Sequence, residues 1–503
     1  MPQTSEPNSE VPETGAPPSP DSRRWWGLVV IGMAQLLVVL DATIVNIALP
    51  SAQADLGMSD ADRQWVITAY TLSFGGLLLV GGRVADFLGR RRVFMAGLVG
   101  FGLASALGGA AASPGILFAA RAFQGLFAAA LAPAALALIT TMFTDPRERG
   151  KAFGVYGALS GGGAAIGLLA GGVLTEYLDW RWCLYVNTPI ALVALLGCTL
   201  LPRDRGTTGP SKLDLPGALL GCGGLLAIVY AFSRAEHGWD DTLVLGLLLL
   251  GVVMLAVFTL VERRTGQPML PLRVVVHRGR GGSLLAVALS QVGLFGLFLF
   301  MTYYLQVILD YSPVLTGVAF LPLTAGIVVG ASFIAGRILP RTQPRFLIAP
   351  ALVVAALGMT ILTGLEPGMD GVYLKLLLPA QILIGLGIGC VMMPAMSTAT
   401  AGVAPHEAGA AAALVNSAQQ VGGSLGVALL NTISTSATSD YLKEHGTSAA
   451  AVAEGTVHGY TVAIALSVGI LLVTALLAAA LINTRPPSAP AAARAEQPNE
   501  VPS

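Results

Sequence analysis

GRVADFLGRRR, residues 82–92, joins two apolar runs, at roughly 64–85 and 93–112. Each run holds about 20 residues, enough to cross a bilayer as a helix. The join is too short for anything but a tight reversal, which Gly89 permits because it tolerates backbone angles other residues avoid. Asp86 is placed to face a helix N-terminus or a neighbouring arginine, while Arg90, Arg91 and Arg92 pin the turn at an anionic membrane surface. Topology signalling accounts for the arginines alone; it does not account for an aspartate with Gly82 and Gly89 on either side. The unit is a hairpin of two membrane-spanning helices with a basic turn.

The same unit recurs along the chain. Of 503 residues, 54% are hydrophobic and 11% charged, with a mean hydropathy of +0.73. A soluble globular protein carries roughly 25% charged residues, so this composition belongs to a multi-pass membrane protein. Apolar runs fall at roughly 26–50, 64–85, 93–112, 115–142, 152–174, 183–201, 215–233, 242–261, 283–309, 314–338, 346–365, 374–401, 407–432 and 459–483. Fourteen spans put both termini on one side. With the N-terminus in the cytoplasm, 22 lysines and arginines lie inside and five outside, with Arg121 left within the membrane; this is the asymmetry of the positive-inside rule. Basic residues that fall at alternate helix ends do not read as a nucleic-acid surface.

Residues 1–24 and 484–503, rich in proline with serine or alanine, are expected to be disordered cytoplasmic tails. Between them a weak repeat relates Gly82-Arg83-Val84 to Gly336-Arg337-Ile338, and Gly125-Leu126 with Pro133 to Gly385-Leu386 with Pro394. Two duplicated six-helix bundles, 25–203 and 282–483, satisfy that spacing, separated by a 204–264 linker with two extra helices and a cytoplasmic 265–281 connection. The extra helices, with almost no polarity, are expected to pack peripherally. Ser51-Ala52-Gln53-Ala54 faintly resembles a signal-peptidase site, but the preceding apolar run is too long, so an uncleaved first span is expected. Cys183, Cys198, Cys222 and Cys390 lack CxxC spacing and read as small packing residues; the five histidines fall in expected loops without HxxxH pairing. No metal site is expected.

Asp41 lies inside the first run, WGLVVIGMAQLLVVLDATIVNIALP (26–50), where no other charge occurs. A carboxylate at such a depth costs about 2.5–3.5 kcal/mol on insertion scales. Counted from the outer helix ends at ~1.5 Å per residue, Asp41 lies roughly 13 Å deep and Arg121 roughly 9 Å, within reach of an arginine side chain. Depth alone leaves two readings open: a static buried ion pair, or a proton-coupled switch in which proximity to the arginine favours the charged carboxylate and its loss favours the acid. Asn46, Tyr70, Gln124, Gln291, Tyr304, Gln306, Asn416 and Gln420 are candidates to line a central cavity with Phe and Met for an apolar ligand.

At these residues the chain resembles the major facilitator superfamily, whose signature loop reads G-x-L-A-D-r-x-G-r-r; Val84 replaces the usual leucine. Leu40–Pro50 (LDATIVNIALP) is similar to the first-helix motif of drug:proton antiporters, particularly the fourteen-helix branch. Arg121-Ala122-Phe123-Gln124-Gly125 matches the fourth-helix R-x-x-Q-G motif, and Trp180-Arg181-Trp182 with Asn187 and Pro189 resembles the start of that branch's sixth helix. Gly163, Gly167, Gly171 and Gly172 have the spacing of the fifth-helix antiporter motif, although Leu168 stands where the family has proline. Small residues at that spacing let helix backbones approach closely, and the family uses this helix as a sliding interface between halves.

The resemblance implies an all-α integral membrane protein of the major facilitator fold, with 14 spans. It implies proton-coupled efflux of small hydrophobic or amphipathic drugs or antibiotics, including self-resistance export by a producer, across the bacterial inner membrane. Asp41 and Arg121 are expected to serve proton coupling; Gly82, Asp86, Gly89, Arg90 and Arg91 are expected to serve the conformational loop. The expected energy source is the proton gradient, with no cofactor and no nucleotide, and the expected state is a monomer. Because Asp41 is the only acid read deep in a span, neutral, weakly basic or monovalent substrates are expected. A proton-coupled importer on the same fold is the nearest alternative, disfavoured by the first- and fifth-helix motifs. A membrane-embedded transferase needs paired surface acids, and the only adjacent pair, Asp240-Asp241, falls in an expected outer loop. A channel is disfavoured by scattered, non-ring-forming polar residues.

Overall fold

In a computed structural model the described residues are 22–60, 62–202, 214–235, 238–265, 275–339, 341–400 and 408–483. Residues 1–21 and 484–503 of the expected tails, and 266–274 of the expected 265–281 connection, lie outside them. Among the described residues every regular element is helical, the arrangement that satisfies backbone hydrogen bonds without water.

The first helices are α1 (Ser22–Leu56), α2 (Trp65–Leu88), α3 (Arg90–Gly109), α4 (Pro114–Met142), α5 (Pro146–Tyr177) and the broken pair α6 (Trp182–Tyr185) and α7 (Asn187–Gly197). Next come α8 (Leu215–Arg234) and α9 (Thr242–Arg264). The remainder are α10 (Arg278–Tyr303), α11 (Pro313–Ala319), α12 (Leu321–Val329), α13 (Gly336–Ile338), α14 (Arg345–Leu362), α15 (Leu378–Thr400), α16 (Ala408–His445) and α17 (Ala449–Leu481). Residues Tyr304–Ile308, Gly330–Ala335 and Tyr373–Leu377 are wound as π-helix.

Local chemistry sets these boundaries. Gly89 takes φ +100° between α2 and α3, a backbone angle that a Cβ disfavours. The carboxylates of Asp214 and Asp241 accept from Gly217 N and Leu243 N to cap α8 and α9, and the hydroxyls of Ser312 and Ser448 do the same for α11 and α17.

Helices α1–α7 pack among themselves, chiefly α2 on α4, α3 on α4 and α1 on α5; α10–α17 form a second set in which α10 lies on α16 and α14 on α15. The sets meet along α2 with α16 and along α5 with α11. Thirteen helical stretches among the described residues are long and apolar enough to cross a membrane. The run expected at 407–432 falls within α16, which packs against both sets and carries Asn416, Gln419 and Gln420 along its length.

Three expectations change. The last two helices extend well past their apolar runs into one hairpin turned at Gly446 (φ +81°). His445 and His458 are therefore helical rather than in loops: Tyr441 stacks on the His445 ring at 4.0 Å and donates to Glu454 at 3.0 Å. These contacts hold polar residues in helices that hydropathy alone ends early. Glu262, just beyond the 242–261 run, is also buried, at 2% exposure, in the last turn of α9, while Asp41 stays the only acid read deep within a run. Finally, only α9 is peripheral, packed on α8 with Leu245, Leu249 and Leu260 exposed. Helix α8 touches both sets: its Ser233 hydroxyl accepts from Gln64 and Trp65, each at 3.1 Å, and Phe232 O accepts from Thr432 at 2.7 Å.

Candidate functional site

Asp41 is fully buried on α1. Its Oδ2 accepts from Arg121 Nη1 at 2.6 Å, while Oδ1 accepts from Gln124 Nε2 at 2.8 Å and Asn187 Nδ2 at 2.7 Å. Arg121 and Gln124 are three apart on α4 and so share one face. Arg121, 2% exposed, also donates to Val66 O at 2.9 Å and to Gln124 Oε1 at 2.9 Å, and its guanidinium lies 4.4 Å from the centre of the Tyr70 ring. Gln124 Nε2 further donates to Ser105 Oγ at 2.7 Å. Five helices, α1, α2, α3, α4 and α7, thus converge on one carboxylate. Gly125 makes the convergence possible by letting α4 press against the α2 backbone at Tyr70.

The pair is charge-balanced, and its remaining hydrogen-bonding capacity is largely satisfied by buried amides. Removing one partner of such a pair costs about 3–5 kcal/mol because the other charge is left buried. The arrangement can hold a carboxylate in the membrane interior.

Several cavity candidates sit elsewhere. Tyr70 and Gln124 belong to the buried cluster, because the arginine needs a ring face and an amide oxygen. Tyr304 is buried, donating to Glu366 O at 3.1 Å, and Gln306 donates to Ile47 O at 2.9 Å across the two helix sets. Asn46, 7% exposed, bonds back to Ala42 O at 2.9 Å. Gln291 faces Met392 Sδ at 3.9 Å, with Gln419 Nε2 on the same sulfur at 2.9 Å. Asn416 and Gln420 are half-buried on α16, Gln420 against Gly75 of α2.

The α5 glycines also differ from expectation. Gly163 faces Leu36 and Val39, Gly167 faces Thr43, and Gly171 faces Ile44, all on α1 of the same set; only Gly172 meets the second set, at Pro313. The stripe is mainly an α1–α5 seam. In the signature loop, Asp86 pairs with Arg90 at 3.6 Å, Arg90 donates to Thr141 Oγ1 at 2.8 Å, Arg91 lies half-buried at the start of α3, and Gly82 sits in ordinary contact with Pro133.

Sequence reading missed Ser105 and the role of Asn187 at the carboxylate. Asn187 was visible as a polar residue starting an apolar run, but nothing in one sequence tied it to α1. It also missed Arg63, counted as an outer-loop charge. Arg63 is 5% exposed, 4.0 Å over the Tyr303 ring, near Tyr460, and paired with Asp60 at 3.0 Å. Around it, at the end of the molecule bearing the α1–α2 loop, Tyr303 donates to Gln53, Asn431 donates to Asp60 O at 3.0 Å, and Val314 N donates to Glu176 at 2.9 Å. The two sets are thus tied together at that end. Towards the Gly89 end, Gly150, Gly154, Gly157 and Gly162 of α5 face open space.

Two packed sets of membrane-length helices tied together at one end, with an ion pair sealed inside one set, have the architecture of a multi-pass membrane transporter. The chain belongs to the major facilitator superfamily, which it matches over residues 31–427. It is 74% identical over 478 residues to a puromycin resistance protein of Streptomyces alboniger, covering 95% of each chain. It is 41% identical over 417 residues to a cephamycin export protein of Amycolatopsis lactamdurans, covering 82% of this chain and 85% of that one. Among solved structures it resembles an inward-facing, occupied bacterial homologue of the human lysosomal transporter Spinster, with TM-score 0.67 at 16% identity over 92% of this chain and 97% of that one. That likeness concerns the fold.

Proposed function

We propose that this protein is a proton-driven exporter of small hydrophobic or amphipathic antibiotics, working as a monomer in the bacterial cytoplasmic membrane. Its two six-helix halves flank the α8–α9 insert, fourteen helices span the membrane, and both termini are cytoplasmic. The tied end is then extracellular, and the chain is caught open to the cytoplasm. The observation that carries this reading is Asp41: fully buried within a membrane-length helix and held by Arg121, Gln124 and Asn187. A charged network of this cost is retained within a membrane where the charge is used.

Substrate enters between the halves from the cytoplasm while Asp41 is charged and paired. The wall that receives it combines Gln291, Met392, Gln419 and Gln420, whose amides and soft thioether suit an uncharged or singly charged amphipath. Rocking parts the outer contacts around Arg63 and exposes the cavity outward. Protonation of Asp41 from outside accompanies release, and return to the inward state delivers the proton to the cytoplasm. The proton gradient supplies the work, and no cofactor or enzymatic step is required.

Puromycin is the first compound to test, given the relative that resists it. Cells carrying wild type or Asp41→Asn are compared for puromycin accumulation, with and without a protonophore. Wild type is expected to hold accumulation down until the protonophore is added, and the variant to accumulate puromycin in both conditions. Export by Asp41→Asn at the wild-type level, indifferent to the protonophore, overturns the proposal.

A further inference from the structure

Asp41 is surrounded by donors: one guanidinium N–H on Oδ2 and two amide N–H groups on Oδ1. This shell suits a carboxylate, which only accepts, but not a carboxylic acid, whose O–H needs an acceptor. A buried donor left unmatched costs about 1–3 kcal/mol, enough to oppose the protonated state that the transport cycle needs. Arg121 cannot accept. Gln124 is pinned at both ends, its Oε1 taking Arg121 and its Nε2 serving Ser105 as well as Asp41. The Tyr70 hydroxyl donates to Val38 O at 3.3 Å while its ring faces the guanidinium. Besides Arg121 and Tyr70, Cys183 on α6 is a titratable group within reach of the Asp41 charge; α5 brings Gly163, Gly167 and Gly171 against this part of α1 and the Tyr156 hydroxyl against Gln35.

Asn187 differs from all of these. It is fully buried at the start of α7, and its Oδ1 has no hydrogen-bond partner among the described residues. Turning its amide over exchanges Nδ2 and Oδ1 in nearly the same volume. We propose that Asn187 is a positioning residue that serves both protonation states of Asp41, donating Nδ2 to the carboxylate and, after an amide flip, accepting the acid O–H on Oδ1. The inference rests on the proton-coupling reading above. It adds that reversible protonation depends on one amide that can reverse its role, whereas Gln124 and Arg121 hold the charged form alone.

The test uses the purified full chain in proteoliposomes, with pH-gradient-driven puromycin transport measured across external pH. Asn187→Leu keeps the volume but neither donates nor accepts; Asn187→Ser restores a group that does both. Asn187→Leu is expected to lower kcat about tenfold, the size one unmatched buried donor produces, with KM little changed and the pH dependence of kcat flattened. Asn187→Ser is expected to recover most of kcat and the pH dependence. Wild-type kcat and pH profile in Asn187→Leu overturn the inference, and so does equal loss in both variants without change of pH profile, which marks a packing role. If Asn187→Leu fails to reach the membrane, infrared difference spectra of the wild type with isotope-labelled asparagine decide. An asparagine amide band is expected to shift together with the Asp41 carboxyl band on a pH jump, and an unmoved band overturns the inference. Failure of the underlying reading is separate: there Asp41→Asn itself transports normally, whereas an inactive Asp41→Asn beside a wild-type-like Asn187→Leu removes only the role of Asn187.

Discussion

Gly125→Ala is a one-carbon test of the coupling cluster. A Cβ at Gly125 lies 2.3 Å from Tyr70 O, 2.9 Å from Ser73 Cβ and 3.0 Å from Phe74 N. Two of these atoms are α2 backbone, so no rotamer change relieves the clash, and α4 must retreat by about 1 Å to reach ordinary contact. Arg121 and Gln124 ride on the preceding turn, bonded to Asp41 at 2.6 and 2.8 Å. The same retreat carries those contacts to about 3.6 Å or beyond, outside hydrogen-bonding range. Alanine's helix preference returns up to about 1 kcal/mol, whereas overpacking costs about 1–3 kcal/mol; the clash wins. The expected outcome is a net destabilisation of about 1–2 kcal/mol in thermal unfolding and about tenfold weaker puromycin export in the accumulation assay. Gly469→Ala, where a Cβ meets nothing within 4 Å, is the matched control and is expected to behave as wild type. Wild-type export by Gly125→Ala refutes the claim that close α2–α4 approach sets the Asp41–Arg121 geometry.

Two further substitutions separate large effects from small ones. Arg63→Ala removes a guanidinium held over Tyr303 and paired with Asp60. A desolvated cation–π contact contributes about 2 kcal/mol, so spin labels across the α1–α2 loop and the α16–α17 turn should report a larger fraction with the sets parted at that end; an unchanged distance distribution counts against a gating role. Asp55→Asn removes the partial charge pairing of Asp55 with Arg181, at 2.6 Å but with side chains 47% and 28% exposed. Such a pair contributes about 1 kcal/mol or less, so the melting temperature should hardly move, and a fall as large as that of Gly125→Ala shows the contact is undervalued here.

What one sequence reveals follows the range of the interaction. Apolar periods and basic turns are local, so α1–α5 and the Gly89 reversal could be read directly. Asp41 and Arg121 were legible because each is a charge out of place in an apolar run, and depth counting put them at compatible levels. Asn187 and Ser105 were not, since a neutral polar residue in a span is common and its partner lies on a helix remote in sequence. Arg63 was hidden for a different reason: a loop charge reads as solvated, and only packing by Tyr303 and Tyr460 from the other half buries it. The ends of α16 and α17 that meet at Gly446 escaped because helix pairing, not hydropathy, holds them.

On the proposed cycle, the helix origin of each Asp41 partner constrains how rocking can reach the carboxylate. Ser105, Arg121, Gln124, Asn187 and Tyr70 all stand on α2, α3, α4 or α7, in the same set as Asp41. A rigid swing of that set against the other carries the whole cluster along and leaves its hydrogen bonds unchanged. On that cycle coupling requires a change within the set, and the packing offers contact routes into α1: Gln306 donates directly to Ile47 O, and α5 relays a second. Gly172 bears on Pro313 of the second set; one residue earlier, Gly171 bears on Ile44, and one turn earlier Gly167 lies so close to Thr43 that a Cβ would meet its Oγ1 at 2.0 Å. Thr43 is two residues from Asp41. On the proposed cycle the α1–α5 seam is a place where displacement of α11 reaches the carboxylate, which gives a stripe expected to slide between halves a second role as a seam inside one.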